Sequence, residues 1–276
     1  MSPIYTDSPP TPIVLSDRPE RLSAGAYWEL LMNLVRREVK GRYSQSFFGA
    51  GWAIAQPLAT MAVFTLVFSR LGQMPSGGAP YPLFAYAALV PWFFFSNSVA
   101  SGTMSLVTYR NIVTKTYFPR EIVPLAQIGS RFVDIAAASA LYVVLMAYYG
   151  IGVGGWGAFV PLFLLLLVVF TAGVTLLTSA LNVFYRDINP VVQIALQLWL
   201  YLTPVAYPLS VVPENYRAFF LLNPLTGVIE GLRSVILFDR EPEWLVVGIS
   251  AAIILSLFAL SIVVFKKTDK YFADVI

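Results

Sequence analysis

The sequence predicts an all-α integral membrane protein. It would have six transmembrane helices, an N-terminal amphipathic interface helix and two short re-entrant helices between the fifth and sixth spans. Three observations carry that prediction. Of 276 residues, 58% are hydrophobic and only 12% charged, about half the charge of an ordinary soluble domain. Six apolar stretches reach the roughly 20 residues needed to cross a bilayer. The basic residues outside those stretches are sorted, with 13 Lys and Arg on the side shared by both termini and 4 on the other. That asymmetry places both termini in the cytoplasm.

The same composition narrows the chemistry. With no His and no Cys, the chain has no imidazole base near neutral pH, no thiolate or imidazole metal site, no disulfide and no Ser-His-Asp triad. A net charge of +3 is too slight to argue for nucleic acid. No glycine-rich loop ends in Gly-Lys, so the phosphate-cradling P-loop is absent from the sequence, and the chain is expected to bind no cofactor itself.

Residues 1–25 read as a flexible cytoplasmic tail, rich at first in Pro, Ser and Asp, as in Ser8-Pro9-Pro10-Thr11-Pro12. About fifty residues, many of them polar, precede the first apolar run, so that run is not expected to be a signal peptide. Residues 26–276 form the transmembrane domain. A helix is predicted over 28–43, where Trp28, Leu31, Leu34, Val35 and Val39 recur at helical spacing. Glu38 and Arg42 form an i,i+4 pair of favourable polarity. Such a helix lies flat in the interface, with Arg36, Arg37, Lys40 and Arg42 among lipid headgroups. The alternative is a surface helix of a cytoplasmic subdomain.

The spans are placed at about 51–71, 83–106, 123–149, 158–184, 190–207 and 244–265. In the third, Arg131 and Asp134 share a helical face; a charge at that depth is a functional candidate, and a neutralised structural pair is the favoured reading. Between the second and third spans, residues 109–121 mix bases and hydroxyls with Tyr117 and Phe118 ahead of Pro119. Aromatic residues and Arg are enriched at protein interfaces, which favours docking to a partner; burial at the headgroup belt is the alternative.

Aromatic residues make up 15% of the chain. They are densest at Trp92, Phe93, Phe94 and Phe95, and recur at Trp199, Tyr201 and Tyr207. Some belong to interfacial belts. Together they exceed what belts need, and a conduit lined with aromatic faces would let a sugar chain slide. Residues 208–243 are too apolar for an aqueous loop and are broken at Pro213 and Pro224. They fit two short helices over about 213–238 that dip back into the membrane, where non-helical backbone must be covered. Asn223-Pro224 is an N-cap followed by proline at the first helical position, and Glu230 and Arg233 follow at i,i+3 on one face.

In these features the chain resembles the type-2 ABC transporter permeases that export polysaccharides such as O-antigen, capsule and teichoic acid. The resemblance runs over about 28–275. It rests on Leu34-Val35-Arg36-Arg37-Glu38-Val39-Lys40-Gly41-Arg42-Tyr43 with Ser46, Gly49, Trp52 and Pro57, then on Tyr117-Phe118-Pro119-Arg120-Glu121-Ile122-Val123-Pro124. Phe184-Tyr185-Arg186-Asp187-Ile188, Thr203-Pro204 and Asn223-Pro224 with Glu230 and Arg233 follow in order. It implies a homodimer in the bacterial inner membrane, docked on two copies of an ATPase subunit that holds ATP and magnesium. Tyr117, Phe118, Pro119, Arg120 and Glu121 would couple to that ATPase. The amphipathic helix would frame the cytoplasmic mouth, and Phe219, Phe220, Glu230 and Arg233 would belong to a periplasmic gate. The cargo implied is a lipid-linked polysaccharide, O-antigen first. The rival within the superfamily is an efflux permease for a drug or small lipid. From another class, a membrane glycosyl- or acyltransferase would need an acid near the surface, and Glu214, Glu230, Asp239, Glu241 and Glu243 offer one only on the outer side.

Overall fold

A computed structural model describes residues 23–44, 49, 51–115 and 118–275. Most of the expected tail, together with Ser46 and Tyr117, lies outside the described residues. All regular structure in that part is helical.

Helix α1 runs Ala24–Tyr43, capped by Ser23, whose hydroxyl accepts from the Ala26 amide at 3.2 Å. It begins four residues before the periodicity of Trp28 and Leu31 places it. Helix α2, Gly51–Phe64, continues without a break into a π-helical segment, Thr65–Leu71. Pro57 within α2 removes one ladder donor. Helix α3, Tyr81–Thr108, is apolar around its whole circumference and is the central helix of the bundle. A one-and-a-half-turn helix, α4 (Arg110–Lys115), leads to α5, Ile122–Tyr148. A 3₁₀ turn at Gly155–Phe159 then opens α6, Val160–Phe184.

Helix α7 spans Ile188–Leu202, only 15 residues. At 1.5 Å per residue it covers about 22 Å, less than the roughly 30 Å hydrocarbon core. The fifth span, expected to reach residue 207, therefore ends as a short helix followed by non-helical backbone. Pro204 is the reason. It has no N–H to continue the ladder, and it drives the residue before it out of the α region; Thr203 has φ −102°, ψ 139°.

Helices α8 (Glu214–Leu221) and α9 (Pro224–Ile236) are bent by 98° at the break between them. Neither is long enough to cross, and they form the re-entrant pair. Helix α10, Trp244–Asp269, completes the spans, followed by the single turn α11, Phe272–Val275. Five segments are long and apolar enough to cross a membrane: α2 with its π segment, α3, α5, α6 with its 3₁₀ turn, and α10. Helix α7, a shorter apolar helix, stands in the place of the expected fifth span.

Close packing of α9 depends on two glycines. A Cβ on Gly231 would lie 2.0 Å from the ring of Phe163 on α6, and one on Gly227 would lie 2.3 Å from the Ser250 hydroxyl on α10. Small residues let membrane helices approach this way. A second apolar cluster closes the end of the bundle at which α3 meets α4. There Leu106, Val113, Phe118, Val123, Val183, Phe265 and Phe272 are buried together.

Candidate functional site

Arg233, on α9, is completely buried (0% exposed). Its guanidinium stands 3.6 Å over the ring of Phe84 on α3. Nε donates to the Phe84 carbonyl at 3.2 Å, Nη2 to the Val205 carbonyl at 2.5 Å, and Nη1 to the Pro204 carbonyl at 2.6 Å and to Glu230 Oε1 at 3.0 Å. Next to it the Tyr81 hydroxyl donates to the Ala206 carbonyl at 2.7 Å. Three consecutive carbonyls of the unwound stretch after α7 are thus satisfied by side chains from α9 and α3. Non-helical backbone at membrane depth persists only with such partners. The sequence placed Arg233 beside Glu230 but gave no sign that its main partners are carbonyls. Proline at 204, inside an apolar run, was the available signal.

Asn223 ties the same region from the other side. Its carbonyl oxygen caps α9 by accepting from the Leu225 amide at 3.2 Å and also accepts from Trp199 Nε1 at 3.1 Å. Its amide donates to the Thr203 hydroxyl at 2.9 Å. Trp199, expected in a conduit, thus also ties α7 to α9.

The aromatic quartet, also expected in a conduit, lies largely within the bundle. Trp92, Phe94 and Phe95 are buried within this one chain. Phe95 stacks on Phe170 at 5.0 Å and meets Trp199 edge-on at 5.4 Å, and Phe94 packs on Phe132 at 5.3 Å. Phe93 is partly buried against the same core. The rings of Trp92, Phe94 and Phe95 each pack on neighbouring rings. Of the aromatic residues expected in the conduit or gate, Tyr201 on α7 is 60% exposed and Phe219 on α8 is 69% exposed. Phe219 borders, with Leu198, Trp199, Leu202, Phe220 and Leu222, an apolar groove of about 710 Å³. Tyr207 packs edge-on to Phe220 at 6.1 Å and donates to the Tyr201 carbonyl at 2.7 Å.

At the start of α5 the expected coupling residues that are described, Phe118 to Glu121, are buried or half-buried. Phe118 is buried in the second cluster, and Arg120 donates to the Asp269 carbonyl and, at 3.4 Å, to its carboxylate. Pro119 and Glu121 are half-buried. The exposed surface of this corner is α4, through Arg110, Asn111 and Thr114. Arg120 is thus a brace from the α4–α5 turn to the end of α10.

On α1, Arg36, Arg37 and Lys40 are exposed, with Arg37 lying 4.5 Å over the Tyr109 ring. The helix packs along α5, where Val35 fills the space beside Gly129, so it has a packing partner that the sequence did not reveal. Tyr109 donates to Glu38, and burial followed by that hydrogen bond raises its pKa above the usual tyrosine value. Arg42 is not among the outward bases. Its Nη1 meets Asp134 Oδ2 at 3.0 Å and its Nη2 the Ser130 hydroxyl at 2.7 Å, while Arg131 reaches the same Oδ2 at 3.1 Å. Tyr43 also donates to Asp134; burial first, then that bond, raises its pKa. The expected Arg131–Asp134 pair is a group of two arginines on one carboxylate.

A helical bundle of five to six spans with a re-entrant hairpin and an unwound, side-chain-braced helix end defines a multi-pass membrane protein. The family pattern of the ABC-2 type transporter matches residues 29–237, and the chain belongs to that family. Among curated relatives it is 32% identical over 219 residues to the O-antigen export system permease protein RfbA of Myxococcus xanthus, covering 79% of this chain and 84% of that one. It is 28% identical over 260 residues to the RfbA of Klebsiella pneumoniae, covering 93% and 98%. The polysialic acid transport protein KpsM of Escherichia coli is 23% identical over 228 residues, covering 79% and 83%.

Proposed function

We propose that the chain is the membrane-spanning subunit of an exporter that moves a lipid-linked polysaccharide, of O-antigen type, outward across the bacterial inner membrane. The observation that carries this reading is the near end-to-end likeness to an O-antigen export permease, 93% of this chain against 98% of the relative. On this reading two copies form the conduit, two copies of a separate ATPase subunit power it with ATP and magnesium, and both termini are cytoplasmic, as the 13-to-4 sorting of basic residues supports.

The geometry supports a mechanical route. The ATPase would seat on α4 and the turn before α5. Arg120 passes that motion to the end of α10 through Asp269, and α10 packs on α9 at Gly227 and Ser250. Through Arg233 and Asn223, α9 holds the unwound end of α7. A displacement at the cytoplasmic corner would then reach the groove bordered by Trp199 and Phe219 as a rigid-body movement. The rings there present flat apolar faces to sugar rings without fixing their hydroxyls. Deleting the gene tests the reading: surface polysaccharide should vanish while lipid-linked glycan accumulates on the cytoplasmic leaflet. Unchanged surface polysaccharide would overturn it.

A further inference from the structure

The route above leaves one cleft unused. Between α1, α2, α3 and α5 lies a cavity of about 120 Å³ whose wall carries Arg42, Arg131 and Asp134. Two guanidiniums share the single carboxylate, leaving one positive charge in excess, and no second acid lines the cleft among the described residues. Arg131 Nε is buried and has no hydrogen-bond partner among them. Buried donors are rarely left unpaired, and an uncompensated charge at such a position is costly. Together these call for an anion.

Three features narrow its chemistry. The guanidinium is a planar fork that matches phosphate oxygens. A cation is excluded by the two arginines. Arg131 stands nine residues into α5 from Ile122, about 13 Å along the axis, in the half of the helix nearest the α4–α5 corner. The remaining wall is mixed: Asn97 and Gln56 offer amides, while Phe93 and the exposed Trp52 offer apolar surface. A polar anion attached to an apolar tail meets every part of that lining.

We propose that this cleft binds the phosphate group of a phosphorylated amphiphile that enters from the leaflet nearest the α4–α5 corner. Two sources share that chemistry: an anionic phospholipid of the bilayer, or the diphosphate of an isoprenoid carrier. The full chain in phosphatidylcholine nanodiscs, titrated with farnesyl diphosphate, provides the test. Saturable binding is expected, weakened at least about tenfold by Arg131→Gln, as loss of a charge-assisted bond predicts, and only partly restored by Arg131→Lys, which returns the charge without the planar fork. Ala53→Phe, which narrows the cleft without touching the ionic group, should weaken binding equally and carries the test if Arg131→Gln folds poorly. Arg240→Gln, at an exposed position outside the cleft, should leave binding unchanged. Competition by added phosphatidylglycerol would assign the site to bilayer phospholipid, and its absence to the isoprenoid carrier. No saturable binding, or equal binding by wild type and Ala53→Phe, would overturn the proposal. Because no transport is measured, that failure would leave the export reading standing.

Discussion

Replacing Arg233 with methionine keeps an apolar stem of similar length against Phe84 and removes only the guanidinium. The Phe84, Pro204 and Val205 carbonyls and the Glu230 carboxylate then lose their donor. An orphaned buried acceptor costs about 1–3 kcal/mol, so the three carbonyls contribute about 3 kcal/mol at the low end. Glu230 is partly exposed, at 26%, and adds less than about 1 kcal/mol because water screens it. The total, about 3–4 kcal/mol, lies in the range for breaking a buried pair from one side. At roughly 2–4 °C per kcal/mol for a chain of this size, thermal unfolding in detergent should fall by about 10 °C. Glu230→Gln alone should cost under about 1 kcal/mol, and adding it to Arg233→Met should recover little, since the carbonyls remain bare. The reasoning is refuted if Arg233→Met melts within about 2 °C of wild type, or if Glu230→Gln is equally damaging.

Gly231→Ala should lower stability by about 1–3 kcal/mol through collision with the fully buried Phe163. Gly248→Ala, with open space around its Cβ, should be neutral or slightly stabilising in a melting assay. If Arg120 braces α10, Arg120→Glu should abolish export while ATP hydrolysis continues, and the Arg120→Glu/Asp269→Arg exchange should restore at least part of it. Cysteines placed at Phe219 or Leu222, both exposed, should react with membrane-impermeant thiol reagents from the outer side; labelling from the cytoplasm alone would invert the topology. Tyr43 has a folded-state pKa above its ordinary value of 10.0. The fold therefore resists its ionisation, so stability holds below about pH 10 and falls as pH rises further. Tyr43→Phe should reduce that alkaline slope in pH-resolved melting curves.

The spans were legible because a bilayer sets their length, and the runs from Gly51 to Ser69 and from Trp244 to Phe265 have no charge to interrupt them. The cap at Asn223-Pro224 was legible for a local reason, since an N-cap and a first-turn proline are neighbours in sequence. What local pattern could not show was which side of an all-apolar helix faces inward. Phe95, a conduit candidate by composition, has its ring stacked on Phe170. Long-range partners were equally hidden: Arg42 and Asp134 are 92 positions apart, and Arg120 meets Asp269 across 149. The end of α7 was misplaced because Val205, Ala206 and Tyr207 are as apolar as the helix before them, although Pro204 marked the break. Backbone carbonyls, the main partners of Arg233, leave no trace in composition.

The central claim is best tested by reconstitution. The chain, co-purified with its ATPase partner, would be placed in proteoliposomes loaded with lipid-linked O-antigen on the ATPase-exposed leaflet. Transfer to the opposite leaflet would be followed by a lectin that cannot cross the membrane. The account predicts transfer that requires ATP and both subunits, and that is lost with Arg233→Met. Glycan that stays on its original leaflet, while a small lipid or drug is moved instead, would contradict it.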